Sequence, residues 1–159
     1  MTTALHLRLA TGADAPRIAE MSRDFIEHGL GWSWRSDRVL RCIRDADTNV
    51  LVATFHGRTV GFAIMIYRDD EAHLVLLAVD PRYGRRGIGA ALLNWVEQSA
   101  LTAGIGQVYL ESRVTNAAAR SFYKRHGYRE VQLVPRYYKG VEASVRLAKD
   151  LWLERPAVA

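Results

Sequence analysis

Leu74-Val75-Leu76-Leu77-Ala78-Val79 is an unbroken apolar run with no polar alternation. A strand of this kind places apolar side chains on both faces of a sheet, so both faces need cover. The run stops at Asp80-Pro81, and a glycine-rich stretch then opens a segment with Ile88, Leu92, Trp95 and Ser99 at helical spacing. A covered strand feeding a turn and an amphipathic helix predicts a layered α/β (α+β) arrangement with helices on both faces of a mixed sheet.

The other segments fit that frame. Leu5-His6-Leu7-Arg8-Leu9 alternates and reads as a strand. Thr11 is placed to cap a helix with Ile18, Met21 and Phe25 on one side and Gly29 as its stop, and Ser36 to cap a second helix through Val39, Leu40 and Ile43. Residues 50–55 and 59–67 are rich in β-formers and flank His56-Gly57-Arg58, which predicts a hairpin. After Gly104 and Gly106, Val108-Tyr109-Leu110-Glu111-Ser112 reads as a strand. Residues 116–126 read as a helix with Ala119, Phe122, Tyr123 and His126 on one stripe and Gly127 as terminator. Two last strands, near 128–134 and 141–148, flank the loop Pro135-Arg136-Tyr137-Tyr138-Lys139-Gly140.

A chain of 159 residues without repeats or a Pro/Gly/Ser-rich linker reads as one domain over residues 1–159. Its single cysteine, Cys42, excludes an internal disulfide and a multi-thiolate zinc site, and its apolar neighbours make it a small buried hydrophobe. The five histidines (6, 28, 56, 73 and 126) show no ligand pairing, so no metal is expected. No apolar run is long enough to span a membrane, and residues 1–16 lack a signal-peptide core, so a cytoplasmic location is expected. Charge is unevenly spread. Residues 1–79 carry nine basic and ten acidic side chains, whereas residues 80–159 carry thirteen and seven. An anion is therefore sought in the second half.

Gly84-Arg85-Arg86-Gly87-Ile88-Gly89-Ala90 lies between the apolar strand and the helix. Glycines there let backbone N–H groups approach phosphate oxygens at a helix start, and Arg85 and Arg86 add charge. The spacing G-x-x-G-x-G is neither the dinucleotide fingerprint nor a Walker loop, which needs Gly-Lys-Ser/Thr. What remains is a loop for a pyrophosphate whose sugar and base are not closely read, and coenzyme A is such a ligand.

With Val79-Asp80-Pro81-Arg82-Tyr83 before it and Ala91-Leu92-Leu93 after it, this loop resembles the acetyl-CoA motif of the GNAT superfamily of N-acetyltransferases. Gly84 stands where the motif usually has Gln or Arg, which removes one side-chain contact and keeps the backbone donors. Residues 110–128, with Glu111, Asn116 and Tyr123 in ungapped spacing, are similar to the bacterial ribosomal-protein-alanine N-acetyltransferases, as are Pro135-Arg136-Tyr137-Tyr138 and Glu142-Ala143. The resemblance covers about residues 72–148.

It implies a mostly antiparallel sheet of about seven strands, acetyl-CoA as co-substrate, and an amine acceptor, either a peptide N-terminus or a small molecule. A homodimer is among the assemblies it implies. Glu111 is the implied general base and Tyr123 the implied general acid. Cofactor binding falls to Leu77, Ala78, Val79, Gly84, Arg85, Arg86, Gly87, Ile88, Gly89, Ala90 and Asn116. The chemistry agrees: acetyl transfer needs a neutral amine and a protonated leaving thiol, and a carboxylate and a phenol supply the two proton transfers. Glu71, His73 and water are alternative bases. Trp32, Trp34, Tyr137 and Tyr138 are candidate clamps for the acceptor, or core and rim packing. The competing functions are an acyl-CoA sensor without catalysis and a nucleic-acid binder. The first is opposed by the presence of both Glu111 and Tyr123, the second by the lack of any recognisable nucleic-acid module.

Overall fold

In order along the chain, the elements are β1 (Leu5–Leu9), a 3-10 turn (Gly12–Asp14), α1 (Ala15–Phe25), α2 (Ser36–Arg44), β2 (Thr48–Phe55), β3 (Arg58–Tyr67) and β4 (Ala72–Val79). A second 3-10 turn (Pro81–Tyr83), α3 (Ile88–Thr102), β5 (Gln107–Arg113), α4 (Ala117–Arg125), β6 (Arg129–Tyr138) and β7 (Glu142–Asp150) follow. They come from a computed structural model that describes residues 4–138 and 142–153. The seven strands join in the order β1-β2-β3-β4-β5-β7-β6. The β4–β5 pair is parallel, through Ala72↔Val108 and His73↔Tyr109. The pairs β1–β2, β2–β3, β5–β7 and β6–β7 are antiparallel. The expected mixed, mostly antiparallel α/β architecture is the one observed.

The chain divides into two units, one of residues up to Tyr67 with Leu74–Val96, the other of Arg68–His73 with residues from Glu97 on. In the first, β2 and β3 meet at His56-Gly57, both with positive φ (51° and 79°), the signature of a two-residue type I′ turn. Arg58, expected in the turn, already pairs with Phe55. Val50, Val52, Phe62 and Ile64 pack with Ile18, Met21, Trp34 and Val39 of the α1–α2 segment. On the opposite side of β3, a Cβ at Gly61 would meet Leu92 and Ile88 of α3. Helices thus cover both faces here, and burying side chains such as Phe62 and Ile64 contributes roughly 1.5–3 kcal/mol each.

Three local expectations shift. Thr11 caps the 3-10 turn rather than α1: its backbone N–H donates to Asp14 at 2.8 Å in a capping box, and Pro16 sits in the first turn of α1. Arg35, not Ser36, is the N-cap of α2. The buried stripe of α3 is Ile88, Leu92, Leu93, Val96 and Ala100, while Trp95 and Ser99 are half-buried.

The larger correction concerns β4. Ala72, Leu74, Leu76 and Ala78 are buried, whereas His73, Val75, Leu77 and Val79 are half-buried. The strand is covered fully on one face only. The sequence conceals this because both faces are apolar from Leu74 on.

In the second unit, α4 starts at Asn116, whose Oδ1 accepts the Ala119 N–H at 3.0 Å. It ends in a Schellman motif. Gly127 has φ 93°, its N–H donates to the Lys124 carbonyl at 3.1 Å, and the Tyr128 N–H donates to the Tyr123 carbonyl at 3.0 Å. Strand β6 runs through Pro135 to Tyr138, where a loop was expected. It lies at the sheet edge, where a residue without an N–H is tolerated. The rest of that loop, Lys139 and Gly140, and the start of the last strand at Val141 lie outside the described residues, as do the side chains of Tyr137 and Tyr138.

Candidate functional site

The loop before α3 is anchored at its root by Asp80, 1% exposed, whose backbone N–H donates to the Val60 carbonyl at 2.8 Å. Its carboxylate accepts the Arg82 N–H at 3.0 Å and the Arg82 guanidinium at 2.7 Å, with Arg17 at 3.8 Å. The Arg82 guanidinium, together with these other donors, holds the Asp80 carboxyl below the usual carboxylate range.

Beyond this anchor the backbone turns sharply. Arg85 and Gly87 both have positive φ (63° and 76°). For a long side chain such as Arg85 this conformation is uncommon, and such outliers gather at ligand clamps. The first bond of the α3 ladder runs from Ala91 N–H to the Gly87 carbonyl at 3.0 Å, so the N–H groups of Ile88, Gly89 and Ala90 lie ahead of the ladder. The Arg86 guanidinium rests over Phe55 at 5.2 Å and Tyr83 at 5.5 Å. Exposed arginines beside unladdered N–H groups at a helix start fit an anion such as a pyrophosphate. In the strand that feeds the loop, Leu77 and Val79 occupy the half-buried face and Ala78 the buried one.

The second group of predicted residues belongs to β5 and α4. Tyr123 is 7% exposed, with its ring edge-on to Phe122 (5.1 Å) and Tyr128 (5.6 Å). The Tyr123–Tyr128 contact is the apolar pair that accompanies the Schellman motif, so the helix end itself fixes the phenol. Tyr128 is in turn tied by its O–H to Glu97 at 2.8 Å, and Glu97 pairs with Lys149 at 3.0 Å. Burial, then the nearby Glu97 carboxylate, drives the Tyr128 hydroxyl well above its ordinary pKa, so it stays a donor. Asn116 spends its side-chain oxygen on the helix cap, so only its amide NH2 is left outside that bond.

Glu111 is not a solvated strand-end charge. Its side chain is 4% exposed; Oε1 lies 2.6 Å from His73 Nε2, and Oε2 accepts the Arg146 Nε–H at 2.9 Å. The His73 ring stacks on Tyr109, centroids 4.3 Å apart and planes at 11°, and the Arg146 guanidinium sits 5.0 Å from the same ring. Two of the proposed bases are therefore one hydrogen-bonded pair. Arg146 and Tyr109 were not singled out from sequence. The signal for Arg146 was a lone cation between Val145 and Leu147 in an otherwise apolar stretch of strand.

Trp34 is buried in the α1–α2 core and offers no open face to an acceptor. Trp32 is half-buried, its indole N–H shared between the Ala19 and Trp34 carbonyls at 3.1 Å, with Arg35 and Arg23 over its ring. Glu27 organises this loop. Its carboxylate accepts Ser33 N–H (2.7 Å), Ser33 O–H (2.6 Å), Ser22 O–H (2.9 Å) and Trp34 N–H (3.1 Å). Burial raises the Glu27 pKa, but those hydrogen bonds outweigh it and leave the carboxyl below its usual range.

The stability supplied by Glu27 is therefore present above the ordinary glutamate pKa and is lost as pH falls through the lowered native one. Glu27→Ala is expected to cost about 3 kcal/mol at neutral pH, read by urea melts, because several donors lose their acceptor. The gap to wild type should shrink below about pH 4. An equal gap at both pH values would contradict it. By contrast, burial pushes the Cys42 thiol up, which suits a packed hydrophobe and not a nucleophile.

The chain matches the acetyltransferase (GNAT) family over residues 16–128. It is a member of the GNAT family. One curated relative of this GNAT chain, the ribosomal protein bS18-alanine N-acetyltransferase of Escherichia coli, is 39% identical over 85 residues, 54% of this chain and 57% of that protein. An uncharacterised N-acetyltransferase of Methanocaldococcus jannaschii is 37% identical over 99 residues, 62% of this chain. The aligned parts span 57–64% of the length of these curated relatives. The crystal structure of the ribosomal-protein-S18-alanine N-acetyltransferase from Escherichia coli superposes with TM-score 0.80 at 27% identity, covering 92% of this chain and 94% of that one. No helix among the described residues is long and apolar enough to cross a membrane.

Proposed function

We propose that this chain is an acetyl-CoA-dependent N-acetyltransferase that moves an acetyl group directly to a primary amine, with residues 1–159 acting as one acetyltransferase domain. The observation that carries the reading is the loop before α3 in a GNAT chain, where Arg85 and Gly87 take positive φ and the first N–H groups of the helix lie ahead of its ladder. The backbone of residues 84–90 with Arg85 and Arg86 would hold the pyrophosphate, and the Asn116 amide the pantetheine chain. The Leu77-Ala78-Val79 backbone would supply an N–H to the thioester oxygen, where negative charge develops.

The neutral amine attacks the thioester carbon, Glu111 serves as general base for its proton, and the Tyr123 phenol protonates the departing thiolate. No covalent enzyme intermediate is needed. A protein N-terminus is the favoured acceptor, in keeping with the named substrate of the Escherichia coli relative, and a small-molecule amine is the other. The cytoplasm is the compartment this reading expects.

The test is thiol release from acetyl-CoA against peptides with free N-termini and a set of small amines. Release that depends on a peptide or amine supports the reading. Tight acetyl-CoA binding with no release for any acceptor would instead make the chain an acyl-CoA sensor. Strongly salt-dependent association with DNA or RNA that CoA does not displace would point to a nucleic-acid binder.

A further inference from the structure

We propose that the proton leaving the acceptor amine lands on Nδ1 of His73, and that Glu111 is the positioning residue that orients this imidazole. The proposal rests on the N-acetyltransferase reading and moves the proton-accepting role from Glu111 to His73. The Glu111 side chain is 4% exposed, and each of its oxygens already faces a donor: His73 Nε2 at 2.6 Å and Arg146 Nε at 2.9 Å. The His73 side chain, at 16% exposed, is the more open of the two.

An ionised carboxylate only accepts hydrogen bonds, so the 2.6 Å contact places the ring hydrogen on Nε2. The basic lone pair is then on Nδ1. The Tyr109 ring, stacked at 4.3 Å, holds the imidazole plane, and Arg146 rests on the same tyrosine. Among the described residues, Glu111 and Tyr109 of β5 contact His73, and Arg146 of β7 contacts both of those. Alternation along β4 puts His73 on the same half-buried face as Val75, Leu77 and Val79.

In the balanced step, the amine nitrogen bonds to the thioester carbon and gives its proton to His73 Nδ1. The C–S bond breaks, and the sulfur takes the phenol proton of Tyr123. Water then carries the imidazolium proton to the phenolate, which restores both groups.

His73→Gln keeps a donor for Glu111 and deletes the basic nitrogen. It is expected to lower kcat by roughly 10²-fold or more, to leave KM for acetyl-CoA unchanged, and to abolish the acidic limb of the pH–rate profile. Glu111→Gln should keep that limb, because the basic ring nitrogen of His73 remains. The reverse pattern, with the limb kept in His73→Gln and abolished in Glu111→Gln, would overturn the proposal in favour of direct proton transfer to Glu111. Nitrogen-15 NMR of the neutral wild-type ring should find the Nε2–H tautomer. An Nδ1–H tautomer would also overturn it. If wild-type protein releases no thiol with any amine, the acetyltransferase reading fails, and the NMR result still decides the state of His73.

Discussion

Tyr123→Phe should lower kcat by roughly 10²–10⁴-fold while acetyl-CoA binds almost as tightly as before. The change removes one hydroxyl and leaves the ring in place against Phe122 and Tyr128. The Schellman bonds at the end of α4 are made by backbone groups of Tyr123, Lys124, Gly127 and Tyr128, so they survive the substitution. The loss should appear in the chemical step, where the thiolate leaves without a proton. Steady-state kinetics with a fixed acceptor, together with calorimetric titration of acetyl-CoA, separate the two effects. An unchanged kcat would remove Tyr123 from the mechanism. A loss confined to acetyl-CoA affinity would make it a binding residue.

Gly61→Leu should be the most damaging single change in the fold of the first unit. A Cβ at this position would lie 3.1 Å from the Ala78 carbonyl oxygen, 3.2 Å from Leu92 Cδ1 and 3.4 Å from Ile88 Cγ2. The first neighbour is backbone of β4 and cannot swing aside. The other two belong to the start of α3, which carries the anion loop. Gly61→Ala asks for shifts of a few tenths of an ångström, and about 1 kcal/mol is expected. Leu adds three more carbons where β3 is covered on both faces, and a loss of about 3 kcal/mol or more is expected. Because the strain falls on Ile88 and Leu92, acetyl-CoA affinity should fall even under conditions where the variant is fully folded. Chemical denaturation followed by cofactor titration checks both parts. Wild-type affinity in a folded but destabilised Gly61→Leu would show that the loop is insensitive to the seat of α3.

Much of this architecture was legible in the sequence, because local signals and tertiary packing agree. The His56-Gly57 turn, the cap at Asn116 and the stop at Gly127 are each a residue type suited to its backbone conformation. The β4 strand was misread for a physical reason: apolar residues at both parities look alike whether a face is fully or half covered. Pro135 reads as a strand breaker in the sequence, and only the sheet order reveals an edge where proline is tolerated.

At the candidate site, the glycine-rich loop and Tyr123 are local features and could be read directly. The surroundings of Glu111 could not. Its partners His73 and Arg146 lie 38 and 35 residues away in the chain, and only the parallel β4–β5 pairing and the Glu111↔Arg146 register bring them to it. Glu27 was passed over for a related reason. A carboxylate that closes a loop through backbone donors leaves no periodic trace in the sequence.

Direct transfer from acetyl-CoA to a primary amine is tested by a single-turnover experiment with acetyl-labelled acetyl-CoA. Mixed with cofactor alone, the protein should remain unlabelled and release no thiol. On adding a peptide with a free N-terminus or a small amine that the protein accepts, label should move to the acceptor nitrogen, with one thiol released for each acetyl group transferred. Label retained covalently on the protein, or thiol released without acetylated amine, would rule out direct transfer.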